Sequence, residues 1–281
     1  MAVTRRCGYR RNCFTLKGCD VLYPIITIFG RQFGTYVLIA IAAGITVGAL
    51  FSRRIRKRRE DSEKAIVCLL FAMLGMLVGG GLLYGITNIK YFPFLLKAGS
   101  FRETLLLLGQ IFGGLVFYGG LFGGLCAGAI YIKVKKLPFD VYADAIAPLI
   151  PLFHGFARIG CFFGGCCYGI ESQLGFIING NDFVPGLCGV RRFPVQLLES
   201  AVCFIMSAIL MVLYRKRPNR QGRLLPAYLC MYSVARFFIE FLRGDSYRGF
   251  VGCLSTSQVI SIALFVVSLV ILLKTRKQAT I

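Results

Sequence analysis

Ala65-Ile66-Val67-Cys68-Leu69-Leu70-Phe71-Ala72-Met73-Leu74-Gly75-Met76-Leu77-Val78-Gly79-Gly80-Gly81-Leu82-Leu83-Tyr84-Gly85-Ile86 carries no charged side chain. Wound as an α-helix at about 1.5 Å per residue, the run exceeds the ~30 Å hydrocarbon core of a bilayer. In lipid, a backbone must satisfy its own polar groups, and a helix does so within one segment. The stretch therefore reads as a transmembrane helix. Blocks of the same character stand on both sides, at Phe33–Phe51, Leu105–Ile132, Val141–Phe163, Val195–Tyr214, Leu224–Leu242 and Thr256–Leu273. The third of the seven, Leu105–Ile132, is too long for one straight span and must tilt, kink or begin along the interface.

Composition agrees. Of 281 residues, 57% are hydrophobic and 16% charged, against about 45–50% and about 25% in soluble domains. The mean hydropathy is +0.71. These values exclude a soluble globular enzyme, a disordered chain and a fibrous repeat. The expected fold is an all-α polytopic membrane protein of about seven transmembrane helices. Its expected divisions are a basic N-terminal segment 1–32, a seven-helix catalytic domain 33–273 and a basic tail 274–281. The N-terminal twenty residues lack the apolar core of a signal peptide.

Lys and Arg number 33 against 12 Asp and Glu, a net charge of +21. In a soluble protein that balance would suggest nucleic acid; here the charges lie in short loops beside apolar blocks, so nucleic acid is not an expected partner. Arg53–Lys64, Lys133–Lys136, Arg215–Arg223 and Lys274–Lys277 all fall on one side of a seven-span chain. The positive-inside rule makes that side cytoplasmic, with the N-terminus outside and the C-terminus inside. The basic N-terminal tail argues the other way, but is the smaller set.

Once loop charges are set aside, Arg158 and Arg236 remain within apolar spans, with Glu199 and Glu240. An intramembrane arginine costs about 2.5–3.5 kcal/mol on insertion scales. It is kept for snorkelling, for a structural ion pair or for function. Tyr232, Arg236, Glu240 and then Arg243 share one helix face. Two guanidiniums at similar depth suit a lipid phosphate, which each can grip bidentately. Gly119, Gly120, Gly123, Gly124 and Gly128 read as close helix packing, leaving Tyr118 as a polar tip in a smooth wall.

The most unusual segment is Arg158-Ile159-Gly160-Cys161-Phe162-Phe163-Gly164-Gly165-Cys166-Cys167-Tyr168-Gly169. Three readings of its thiols stand open: a Cys₃His zinc site with His154, a disulfide from Cys166 or Cys167 to Cys188, or tight packing among glycines. Of these, the expectation is a structural role, with no metal.

At these residues the chain resembles the prolipoprotein diacylglyceryl transferase family, seven-span bacterial membrane enzymes. The resemblance runs from about Tyr36 to Leu273, and its pieces come in the family's order. They are Leu115–Leu121, Asp144–Pro151, the Arg158-Ile159-Gly160 core, Pro194–Glu199, Arg236–Arg243 and Ser257–Ser261. The resemblance implies that Arg158 holds phosphatidylglycerol, with Tyr36, Gln196 and Glu199 completing the substrate site. It implies that Arg236, with Tyr232, Glu240 and Tyr118, forms the catalytic group. The chain also departs from the family. Many members have His at Tyr118, asparagines at Cys161 and Gly164, a glutamate at Cys166, His at Phe193 and Arg at Gly81.

The implied reaction moves diacylglycerol from phosphatidylglycerol to the lipobox cysteine thiol of a membrane-anchored prolipoprotein, in a bacterial cytoplasmic membrane. No cofactor is needed for it. With Tyr118 in place of His, the base is either Tyr118 or Glu240. Two alternatives are a transferase of the same scaffold with another acceptor or phospholipid, and a non-enzymatic lipid or solute transporter. The sequence shows no internal repeat, and seven spans do not divide into two halves, which counts against the transporter.

Overall fold

The computed structural model describes residues 25–28, 31–95, 99–114, 116–177, 190–216, 222–244 and 250–278. Cys188, Leu115, Arg217 and Arg220 lie outside them, as does most of the N-terminal segment.

A short antiparallel pair, β1 (Ile25–Ile28) and β2 (Arg31–Gly34), leads into α1 (Thr35–Lys57). Then come α2 (Ser62–Thr87), a single turn α3 (Phe92–Leu95), α4 (Phe101–Phe112) and α5 (Phe117–Val134). Next are α6 (Phe139–Ile146), α7 (Leu149–Phe163) and the paired strands β3 (Glu171–Ile177) and β4 (Arg191–Arg192). The chain closes with α8 (Val195–Lys216), α9 (Leu224–Ile239), the hairpin β5 (Phe250–Val251) and β6 (Leu254–Ser255), and α10 (Thr256–Gln278). Among the described residues, seven helical segments are long and apolar enough to cross a membrane. The protein is a multi-pass membrane protein.

Two spans are broken where their sequence outlines are continuous. The long third block is two helices: α4 stops at Phe112, Gly113 and Gly114 intervene, and the span proper is α5. Its first part is a separate amphipathic helix with Phe101, Leu105 and Leu106 exposed, the interfacial option. The fourth block is interrupted at Ala147 and Pro148 between α6 and α7. Proline has no N–H to give the helix ladder, and Ser207 Oγ from α8 donates to the Pro148 carbonyl at 2.8 Å. Helix α1 also runs past Phe51 to Lys57, so Arg53, Arg54 and Arg56 sit on helix rather than loop. The basic tail likewise begins on α10, which continues to Gln278.

Helices α2 and α5 touch backbone to backbone. A Cβ built at Gly79 would collide with the Gly119 carbonyl oxygen and lie 2.9 Å from Gly123 Cα. One at Gly75 would strike Ala127 Cβ and the Gly123 carbonyl. Small residues at four-residue spacing on both partners are what lets helices approach so closely in lipid.

The opposite end of the bundle is stitched by polar side chains. Arg54 Nη1 of α1 donates to the Ala145 carbonyl of α6 at 2.8 Å. Asp144 Oδ1 accepts from Leu224 N at 2.8 Å and Oδ2 from Gly222 N at 3.0 Å. Its carboxylate thus fills the place of an N-cap for α9, where a negative charge also suits the helix dipole.

These contacts fix the directions. Tyr36 meets Gly160 and Arg54 meets Ala145, so α1 and α7 are antiparallel. Ser200 Oγ meets the Gly155 carbonyl and Ser207 meets Pro148, so α7 and α8 are antiparallel too. Arg236 meets Ser257 and Cys230 meets Ser268, and α9 and α10 follow suit. One end of the bundle therefore collects the N-termini of α1, α5, α8 and α10 with the C-termini of α7 and α9. The basic last turns of α1, α5 and α8 lie at the other end.

Candidate active site

The first end of the bundle holds a buried charged cluster. Glu199, in the second turn of α8, is its hub, with side-chain exposure of only 1%. Its Oε2 lies 3.0 Å from Arg158 Nε, 3.9 Å from Arg243 Nη1 and 4.0 Å from Arg236 Nη1. Its Oε1 accepts from the Tyr232 hydroxyl at 3.4 Å. Arg236 Nη2 pairs in turn with Glu240 Oε2 at 2.5 Å, four residues on, where α9 gives way to a 3-10 turn. Three guanidiniums thus face two carboxylates. Helix ends help to place them: Arg158 and Arg236 ride towards the C-termini of α7 and α9, and Glu199 near the N-terminus of α8.

His154 completes the setting of Arg158. Arg158 Nε donates to His154 Nε2 at 3.1 Å, so that ring nitrogen is the acceptor and the proton sits on Nδ1. There it faces Cys203 Sγ at 3.4 Å. The imidazole is therefore neutral, and its 3.7 Å approach to Glu199 Oε1 is not an ion pair. Phe117 stacks on the imidazole with centroids 4.2 Å apart and holds the ring in plane.

Two buried atoms of the cluster lack a hydrogen-bond partner among the described residues: Glu199 Oε2 and Arg236 Nη1. Buried polar atoms in folded proteins are overwhelmingly paired, so an unpaired donor in a cationic cluster points to a ligand oxygen or water.

Tyr118, from the first turn of α5, donates to Ser261 Oγ at 2.6 Å, and Ser261 Oγ donates to the Ser257 carbonyl at 2.8 Å. With the Ser261 hydrogen given to the Ser257 carbonyl, the Tyr118 hydroxyl is the donor of the pair, and it also lies 3.5 Å from that carbonyl. Gln196 Nε2 donates to the Cys166 carbonyl at 2.7 Å. Tyr36, 42% exposed, lies against Gly160, where a Cβ would come within 2.8 Å of its ring.

The family model for prolipoprotein diacylglyceryl transferase matches residues 24–274. The chain belongs to that family. Its relatives include the phosphatidylglycerol–prolipoprotein diacylglyceryl transferase of Clostridium tetani, 31% identical over 253 residues, which cover 89% of this chain and 94% of the relative. The second transferase so named in Clostridium perfringens is 32% identical over 85% of this chain and 90% of its own length. That of Clostridioides difficile is 32% identical over 90% of each chain.

Within this diacylglyceryl transferase fold, Arg158, Arg236, Glu199, Glu240 and Tyr232 come together as one cluster. Tyr118 stands at its edge, one serine from Arg236 through the Ser257–Ser261 turn. Gln196 and Tyr36 flank the Cys-rich turn rather than the arginines. His154 was legible only as a metal ligand, although its place four residues before Arg158 puts it on the same helix face. Ser257 joins the group only through tertiary contact, and Arg243, expected on the helical face of Arg236, reaches Glu199 from extended backbone just past the helix end. Gly160 makes room for Tyr36, and Gly169 lies against the Phe193 and Leu242 carbonyls.

Proposed function

We propose that this chain transfers the diacylglyceryl group of phosphatidylglycerol to the lipobox cysteine thiol of a prolipoprotein, in a bacterial cytoplasmic membrane. The observation that carries the reading is the convergence of Arg158, Arg236 and Arg243 on one buried point, with Arg236 Nη1 lacking a hydrogen-bond partner among the described residues.

The thiol is used as thiolate, which is the nucleophile. Its sulfur forms a bond to the terminal glyceryl carbon of the donor; the carbon–oxygen bond to phosphate breaks, and glycerol phosphate leaves with the electron pair. Negative charge grows on the phosphate oxygens, and preorganised guanidiniums in a water-poor site stabilise that charge. In this reading Arg158 is the phosphate anchor, with Gln196 and Tyr36 along the approach. Arg236 supplies its free Nη1–H to a phosphate oxygen, and Tyr232 and Glu199 position the guanidiniums. Glu240 suits the proton-accepting role better than Tyr118 does, because the Tyr118 hydroxyl is already committed as a donor while the Glu240 carboxylate, buried beside Arg236, is an acceptor.

The bundle's polarity supports a cytoplasmic position for its basic end, which leaves the arginine cluster towards the outer leaflet. The test is mass spectrometry of a lipobox protein produced with and without this chain in cells lacking their own transferase. A mass increase equal to one diacylglyceryl group, present only with this chain, supports the reading. An unmodified acceptor beside well-inserted enzyme refutes it.

A further inference from the structure

The Cys-rich turn holds more than packing. Cys161 lies in the last turn of α7, and the chain then folds back on it. The Cys166 amide donates to the Cys161 carbonyl at 3.2 Å. Gly165 and Cys167 take left-handed backbone angles, φ 68° and 58°. Glycine adopts that region freely, whereas cysteine does so only against steric cost, and such strained residues cluster at functional sites. The double reversal brings the three Sγ atoms within 4.8 Å of one another, the only such group among the described residues. Gln196 pins the turn from α8 through the Cys166 carbonyl.

A zinc–thiolate bond is about 2.3 Å, so three sulfurs around one ion stand about 4 Å apart. The thiols need to close by less than about 1 Å to reach that spacing. Cys166 is exposed and Cys161 and Cys167 are half-buried, so an ion has access. Cationic Arg158 and Arg243 act electrostatically on Cys167, and three thiolates with a dication carry a net charge of −1, which suits that setting. His154 is not a fourth ligand, since Arg158 and Cys203 occupy both its nitrogens.

We infer that Cys161, Cys166 and Cys167 form a three-thiolate site for a thiophilic dication of the zinc type, with a fourth coordination position open to water or another ligand. The site adjoins the arginine cluster but shares no side chain with it, and it stands whether or not the chain transfers lipid.

The test uses full-length reduced protein in detergent, in a background carrying Cys7→Ser, Cys13→Ser, Cys19→Ser and Cys188→Ser, so that other sulfurs do not confuse the count. Zn²⁺ is titrated against a chromophoric chelator, and the zinc X-ray absorption of the loaded protein is recorded. One ion per chain with a three-sulfur shell is expected. Cys161→Ser, Cys166→Ser and Cys167→Ser should each weaken binding at least about tenfold, while Cys126→Ser leaves it unchanged. Reduced protein that retains no zinc, a shell with fewer than three sulfurs, or single substitutions without effect would overturn the proposal. The absorption measurement needs no substitution in the turn, so a variant that fails to fold does not spare it.

Discussion

Glu199 Oε2 and Arg158 Nε lie 3.0 Å apart with both side chains buried, although they are separated by an entire turn and loop in sequence. Because the shared N–H points to His154, the contact with Glu199 is Coulombic rather than a directed hydrogen bond. Glu199 so placed restrains three mutually repelling guanidiniums without saturating them. An anionic headgroup can then share their charge.

Arg158→Ala should lower transfer by about 10²–10³-fold while the protein still inserts, since a buried donor aimed at developing charge is worth that much. Arg158→Lys should restore only part of it. A point charge cannot hold His154 and grip phosphate as a planar fork does. Near-normal transfer by well-expressed Arg158→Ala enzyme would remove the phosphate-anchor role.

Removing Glu199 tests the restraint. Glu199→Gln leaves guanidiniums buried without their common counter-charge, and breaking a buried pair costs about 3–5 kcal/mol. Thermal unfolding in detergent should show a clearly lower midpoint. An unchanged midpoint would mean that the cluster is hydrated and that Glu199 is not its hub.

Proton transfer separates two residues that the sequence left level. Tyr118→Phe, which deletes the hydroxyl's contacts with Ser261 and the Ser257 carbonyl, should keep activity within about tenfold. Glu240→Gln should lose about 10²-fold or more, the range of a general base. The reverse order in single-turnover assays would return the base to Tyr118.

The helix junction offers a steric test. At Gly79 a methyl group meets backbone, which cannot rotate aside, whereas Gly44 has nothing within 4 Å of its absent Cβ. Gly79→Leu should cost at least about 1–3 kcal/mol through overpacking and sharply reduce folded yield. Gly44→Ala should leave the yield as it is. Equal yields would show that α2 and α5 separate readily.

Orientation is checked by labelling. Cysteines introduced as Lys57→Cys and Glu171→Cys should react with a membrane-impermeant reagent from opposite sides, Glu171→Cys from outside. Labelling of both from one side would overturn the proposed topology.

The spans were legible because each apolar block is of spanning length and holds at most two charged side chains, and Ala65–Ile86, which holds none, lies wholly within α2. The break at Gly113–Gly114 showed only as excess length. The break at Ala147–Pro148 did not show, because Pro148 and Pro151 sit in a block whose total length still suits one span. In the site, Tyr232, Arg236, Glu240 and Arg243 were readable as one face because their spacing is local. The meeting of Arg158 with Glu199 was not, since no local period joins two helices. His154 entered the sequence reading only through the disfavoured zinc alternative, by its nearness to the cysteines. Its ring instead turns towards the arginine one turn away.

The glycine contact between α2 and α5 has a mechanical meaning. Two helices in backbone contact cannot slide without driving carbonyl oxygens into Cα atoms, so the pair behaves as one double-thick pillar. A protein that counts seven crossings by hydropathy has, for the purposes of motion, six independent struts. A spectroscopic reporter on α2 would follow α5, and any widening that admits a bulky substrate has to come from the other seams of the bundle.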